Sequence, residues 1–131
     1  MRSGTPVVLF YTESEEEKRI AEKFFINYQT RDCTGLEEEK LYSVITGKTG
    51  NSKSQKLDLR GYSFMIFHNI KSKEIPEILK HFRKVSKSNW IFATTTENNL
   101  SWTLKDLFHE LVEEHENMHK YNNSSKKGRK A

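Results

Sequence analysis

Tyr62-Ser-Phe-Met-Ile-Phe-His-Asn-Ile70 is the stretch on which the fold turns. Apolar side chains stand at both parities, Tyr62, Phe64 and Ile66 against Met65 and Phe67. A strand of this kind has two faces to bury. Downstream, Ser72 opens a run with Ile75, Ile78, Leu79 and Phe82 at helical spacing, and Pro76 is tolerated there because it falls near the first turn. Trp90 to Thr95 then reads as another strand. Upstream the same order occurs. Val7 to Thr12 is a compact β-branched and aromatic run. Ser14-Glu-Glu-Glu17 is a capping-box pattern ahead of Ile20, Ala21, Phe24 and Phe25, with acidic residues where the helix dipole favours them. Leu41 to Thr46 reads as the strand that closes this first half.

Two strand–helix–strand halves, 7–46 and 62–95, therefore predict the order β-α-β-β-α-β. Such a duplication is the layout of the ferredoxin-like split βαβ fold, an α+β architecture with an antiparallel sheet and two helices on one face. A third, extra helix is expected over 103–119. Thr103-Leu-Lys-Asp106 caps it, and Leu104, Leu107, Phe108, Leu111 and Val112 form one stripe. This helix is the natural cover for the second sheet face. Gly47 to Arg60, rich in Gly, Lys and Ser, is expected to be a mobile loop. Residues 1–119 then make a single α+β domain, and 120–131 a disordered basic tail.

The composition fits one domain. The 131 residues are 34% apolar and 31% charged, thin in core material but long enough to bury a core. No apolar run approaches the ~20 residues of a membrane span, and Val7-Val8-Leu9-Phe10-Tyr11 is too short for a signal-peptide core. Cys33 is the single cysteine, which excludes an internal disulfide and fits a reducing compartment. A cytoplasmic location is the expectation.

The net charge of +4 belongs to the end of the chain. Lys120, Lys126, Lys127, Arg129 and Lys130 carry five positive charges, which leaves residues 1–119 at −1. Within the body, residues 71–87 hold Lys71, Lys73, Lys80, Arg83, Lys84 and Lys87 against Glu74 and Glu77. Residues 105–119 hold Asp106, Glu110, Glu113, Glu114 and Glu116 against Lys105. Opposite charges on separate elements can steer an asymmetric partner or a self-association, or serve as two solvated helix faces.

Three motifs bear on chemistry. His115-Glu116-Asn117-Met118-His119 has the His-Glu-x-x-His spacing that places two imidazoles on one helix face for zinc, with Glu116 as general base. The same residues continue the apolar stripe of the third helix, which is a structural account of them. Gly47-Lys48-Thr49 resembles the end of a phosphate-binding loop, but Tyr42 stands where that loop needs Gly. Arg60-Gly-Tyr-Ser-Phe-Met-Ile-Phe67 resembles the octapeptide of the RNA-recognition-motif family and falls on the third strand, as it does there. That resemblance implies base stacking by Tyr62 and Phe64 together with Phe10 on the first strand, and phosphate contacts from Lys48, Lys53, Lys56 and Arg60. Ser63 and Met65 depart from the pattern. The alternative is that all three rings pack as core under the third helix.

The second half, about residues 62–119, resembles a bacterial family known only as domain of unknown function 3783. The resemblance rests on Phe64-Met-Ile-Phe67, on Ile91-Phe-Ala-Thr-Thr-Thr-Glu-Asn98, and above all on Trp102-Thr-Leu-Lys-Asp-Leu-Phe-His-Glu-Leu-Val-Glu-Glu-His115. It implies a bacterial cytoplasmic protein and gives Trp102 a role in stapling the third helix to the sheet. The polar loop Thr94–Asn99 either caps that helix or offers N–H groups to a small anion. With no credible catalytic set and no cofactor pattern, a non-enzymatic interaction or regulatory module is expected, with a protein partner or a second copy. Single-stranded RNA binding is the alternative, and zinc-dependent hydrolysis through His115 and His119 a remote one.

Overall fold

The computed structural model describes residues 5–48, 50 and 57–130, with side chains as far as residue 118. Its strands are β1 (Val7–Tyr11), β2 (Gln29–Asp32), β3 (Ser63–His68) and β4 (Trp90–Thr94). Its α-helices are α1 (Glu15–Phe24), α2 (Leu41–Thr46), α3 (Ile75–Val85) and α4 (Leu104–Lys130). The fold is α+β, with one four-stranded mixed sheet in the order β2-β1-β3-β4.

The hydroxyl caps at Ser14 and Thr103 form where the sequence places them, whereas Ser72 makes no side-chain cap and the Ser14 N–H donates to Thr12 Oγ1 rather than to Glu17. Ser14 Oγ accepts from the Glu17 N–H at 3.1 Å to start α1, and Thr103 Oγ1 accepts from the Asp106 N–H at 3.2 Å to start α4. Pro76 occupies the first turn of α3, after a 3-10 turn at Ser72–Glu74.

The first half differs from expectation in two ways. Leu41–Thr46 is a helix, and the strand that closes the half is Gln29–Asp32. Leu41 and Val44, three residues apart, are buried while Tyr42 between them is 58% exposed, so the apolar spacing is helical although Val44, Ile45 and Thr46 are β-branched. Gly47 ends this helix in the left-handed region at φ 77°. The true β2 is polar and lies at the sheet edge. Its partner is β1, with Val7 opposite Gln29 and Phe10 opposite Asp32 in parallel register.

Strand directions also depart from the antiparallel ferredoxin-like layout. β1 pairs parallel with β2, and β3 parallel with β4, while the two halves meet through the antiparallel pair β1–β3. Each half is thus an ordinary βαβ unit whose helix joins neighbouring strands. In a split arrangement another strand would lie between them.

The sheet separates two cores. Val8, Phe10, Met65 and Phe67 pack with Ala21 and Phe25 of the first half and Phe82 of α3. Val7, Leu9, Tyr11, Phe64 and Ile66 pack with Leu41 and Val44 of α2 and with Leu104, Leu107, Phe108 and Val112 of α4. The expected cover is present: the Phe64 and Phe108 rings stack at 4.5 Å with 19° between planes. α4 continues to Lys130, so the backbone of the segment expected as a disordered tail is helical. An established helix extends at one hydrogen bond per residue added.

The start of α4 is clasped by the chain ahead of α2. The N–H groups of Leu104 and Lys105 donate to the carbonyls of Glu39 and Glu37 at 2.9 and 2.8 Å, and Leu41 N–H donates to the Trp102 carbonyl at 2.9 Å. Trp102 anchors through this carbonyl, and its side chain is 37% exposed. Glu37 is buried, and its carboxylate accepts from Tyr11 Oη at 2.9 Å and from Gly35 N–H at 3.2 Å. No helix among the described residues is long and apolar enough to cross a membrane.

Candidate functional site

The three rings assigned to RNA stacking do not share a surface. Directly paired residues of adjacent strands point to the same sheet face, and Phe10 is paired with Met65 while Phe64 is paired with Tyr11. Phe10 and Phe64 therefore lie on opposite faces, and both are buried, at 1% and 0% exposure. Tyr62 is half-buried, with its ring edge-on to His115 at 5.1 Å. Phe64 and Tyr62 pack on the α4 side, as the alternative account had it, whereas Phe10 is buried in the other core with Ala21, Phe25 and Phe82. Among the phosphate candidates, Lys48 is exposed beyond α2 and Arg60 is ion-paired with Glu116. Lys53 and Lys56 lie outside the described residues.

The His-Glu-x-x-His segment lies on α4 as expected. His115 meets Tyr62, the Glu116 carboxylate is engaged by Arg60, and the His119 side chain lies outside the described residues. No group of three or more His, Cys, Asp or Glu residues that could hold a metal occurs among the described residues.

The Thr94–Asn99 loop caps itself. Thr96 N–H donates to Asn99 Oδ1 at 2.8 Å, Asn99 N–H to Thr96 Oγ1 at 3.1 Å, and Asn99 Nδ2 to the Thr94 carbonyl at 3.1 Å. These bonds engage the Thr96 and Asn99 N–H groups and the Asn99 side chain within the loop.

A different place gathers binding chemistry. A cavity of about 390 Å³ runs past the start of β4, between the end of α3 and the side of α4. Arg83, Trp90 and Phe92 line it on the α3 side, and Tyr62 and His115 on the α4 side. β4 is the last strand of the sheet. Ser63 N–H donates to the Asn89 carbonyl and Thr95 N–H to the Phe67 carbonyl. In a parallel ladder the odd-numbered residues 89 to 95 therefore turn their backbone to β3, while Trp90, Phe92 and Thr94 turn theirs outward. The Thr94 carbonyl is taken by Asn99. The outward groups of Trp90 and Phe92 make no hydrogen bond among the described residues, and they border the cavity.

The wall of this groove is built deliberately. Glu17, on the first turn of α1, is 6% exposed and accepts from Ser86 Oγ at 2.6 Å, Lys87 N–H at 3.1 Å and Trp90 Nε1 at 3.4 Å. Trp90 Nε1 also donates to Ser86 Oγ at 2.6 Å. One buried carboxylate thus pins the α3–β4 connection and the first residue of β4 to the other half of the domain. Burial of Phe82 fixes the rotation of α3, and Arg83 then lies over the Phe92 ring, 5.3 Å from its centre.

The two sheet edges contrast. β2 carries Arg31 and Asp32, and Lys18 pairs with Asp32 at 3.4 Å, the kind of charged edge that resists strand addition. β4 carries Trp90, Ile91 and Phe92. Sequence patterning did not single out Arg83, Trp90, Phe92 or Glu17 as a set, because the groove exists only once β4 is known to be an edge. The one available signal was Trp90, whose indole N–H needs a partner when partly buried.

An α+β domain with one guarded and one aromatic sheet edge is the class that this geometry defines. Residues 63–118 match the family described as "Domain of unknown function (DUF3783)". That span contains the groove lining apart from Tyr62. No curated protein and no solved structure matches the chain.

Proposed function

We propose that the protein is a non-enzymatic interaction module that receives an extended segment of a protein partner along the outer edge of β4. The observation that carries this is the pair of outward backbone positions at Trp90 and Phe92, set beside a 390 Å³ groove. Strand addition supplies main-chain hydrogen bonds at such an edge, and side-chain pockets on either side supply selectivity. The Glu17 network supports the same reading, since it holds the groove wall in one shape before any partner arrives and lowers the ordering cost of binding.

Panning a random decapeptide library on the full chain tests this. Selected peptides should shift the amide resonances of residues 89–94 and of Tyr62 and His115 in NMR spectra. Failure to select any peptide, or selected peptides that shift only other elements, would overturn it.

A further inference from the structure

The groove also specifies the chemistry of its occupant. Two cations stand at its α3 side, Arg83 and Lys87, both in the lining and both exposed. The last turn of α3 carries Arg83 and Lys84, and Glu77, the acidic residue of that helix, is a full turn and more away and bonded to His81 at 2.9 Å. Glu17 faces this region from α1, but its carboxylate is consumed by Ser86, Lys87 N–H and Trp90. The α4 side offers Tyr62 and His115, whose rings meet edge-on.

A strand laid along β4 shows its side chains alternately to the two sides. Resting on the strand-addition reading above, we infer that the partner segment alternates acidic with apolar or aromatic residues. The acidic positions face Arg83 and Lys87, and the intervening positions pack on Tyr62 and His115. Charge also argues against a second copy of this chain as the occupant. Two β4 edges joined antiparallel about Phe92 in one continuous sheet would bring the two Arg83 guanidinium groups, each over its own Phe92 ring, to the same face near the two-fold axis. Like charges so placed oppose association.

The test uses the full chain and fluorescein-labelled decapeptides in anisotropy titrations at physiological salt: alternating Glu and Val, alternating Lys and Val, and alternating Ser and Val. The Glu peptide should bind at least tenfold more tightly than the other two. The double variant R83E/K87E should lose that preference and favour the Lys peptide, with an unchanged circular dichroism spectrum showing that it folds. Equal binding of the three peptides, with resonance shifts at residues 89–94, would overturn the acidic assignment and leave the edge reading standing. Binding of the Glu peptide that survives in R83E/K87E would overturn the assignment by placing the contact elsewhere, as on the basic residues of 120–130. A concentration-dependent dimer in sedimentation, dissolved by R83E, would overturn it in favour of a second copy.

Discussion

The Arg83 guanidinium lies over the Phe92 ring, 5.3 Å from its centre, at the outer edge of β4. A helix residue thereby touches the edge strand from outside the sheet, where an added strand would meet both. Exposed cation–aromatic contacts are worth roughly 0.5–1 kcal/mol. Replacing Arg83 with Gln should therefore lower stability by no more than about 1 kcal/mol in urea unfolding. Its effect on affinity for an acidic peptide should be the larger one.

Glu17 should behave in the opposite way. It is buried and receives three donors from the α3–β4 connection. Glu17→Ala leaves Lys87 N–H and the Ser86 hydroxyl short of an acceptor, while Trp90 Nε1 keeps its bond to Ser86 Oγ, at a cost of roughly 2–3 kcal/mol on the scale of hydrogen bonds to charged groups. Urea unfolding checks the stability. Tryptophan fluorescence, which shifts as the Trp90 indole loses the nearby carboxylate, checks the site.

Phe64 and Phe108 hold α4 to the sheet. Phe64→Ala or Phe108→Ala should each cost about 3–5 kcal/mol, as large-to-small changes in a packed core do. The double variant should cost less than the two together, because each ring has already lost its partner. A double-mutant cycle in urea reads the difference.

Cys33 is 1% exposed, and burial, with the nearby Asp32 and Glu37 charges, pushes its thiol well above the ordinary range. Thiolate is the reactive form. Ellman's reagent should find no accessible thiol in the folded protein at pH 8 and one after unfolding in urea.

His68, at the end of β3, places Nδ1 2.9 Å from Thr95 Oγ1, and burial lowers its pKa from 6.5. The folded protein then binds fewer protons than the unfolded chain in the window between the lowered value and 6.5, so stability rises with pH there. The contribution is present above pH 6.5 and is lost as pH falls below it. His68→Gln should shrink the loss of stability between pH 7.5 and 5.5, as measured by urea midpoints.

Local rules made much of this chain legible. Ser14 and Thr103 announce their helices because a capping hydroxyl acts within three residues. The β3–α3–β4 unit shows through its apolar runs, since β3 is buried on both faces. What escaped depends on long-range pairing. Gln29–Asp32 is a strand because β1 hydrogen-bonds to it, and its polar side chains leave no periodic trace. Leu41–Thr46 has β-branched residues that suggest a strand, yet its two buried positions are three apart and it packs as a helix under α4. Phe10 and Phe64 looked like companions because each sits in a central strand; their register, one residue out of step, sends them to opposite faces. The groove was invisible for the same reason, since no sequence pattern names the strand left at the edge.

Interchain NOE contacts offer the most direct measurement. With a library-selected, acidic decapeptide bound to the isotope-labelled full chain, the account predicts backbone cross-peaks between the peptide and the amides of Trp90 and Phe92, and a peptide side chain in contact with the Tyr62 ring. A bound peptide whose cross-peaks all fall elsewhere, with the Trp90 and Phe92 amides still exchanging as in the free protein, would contradict it.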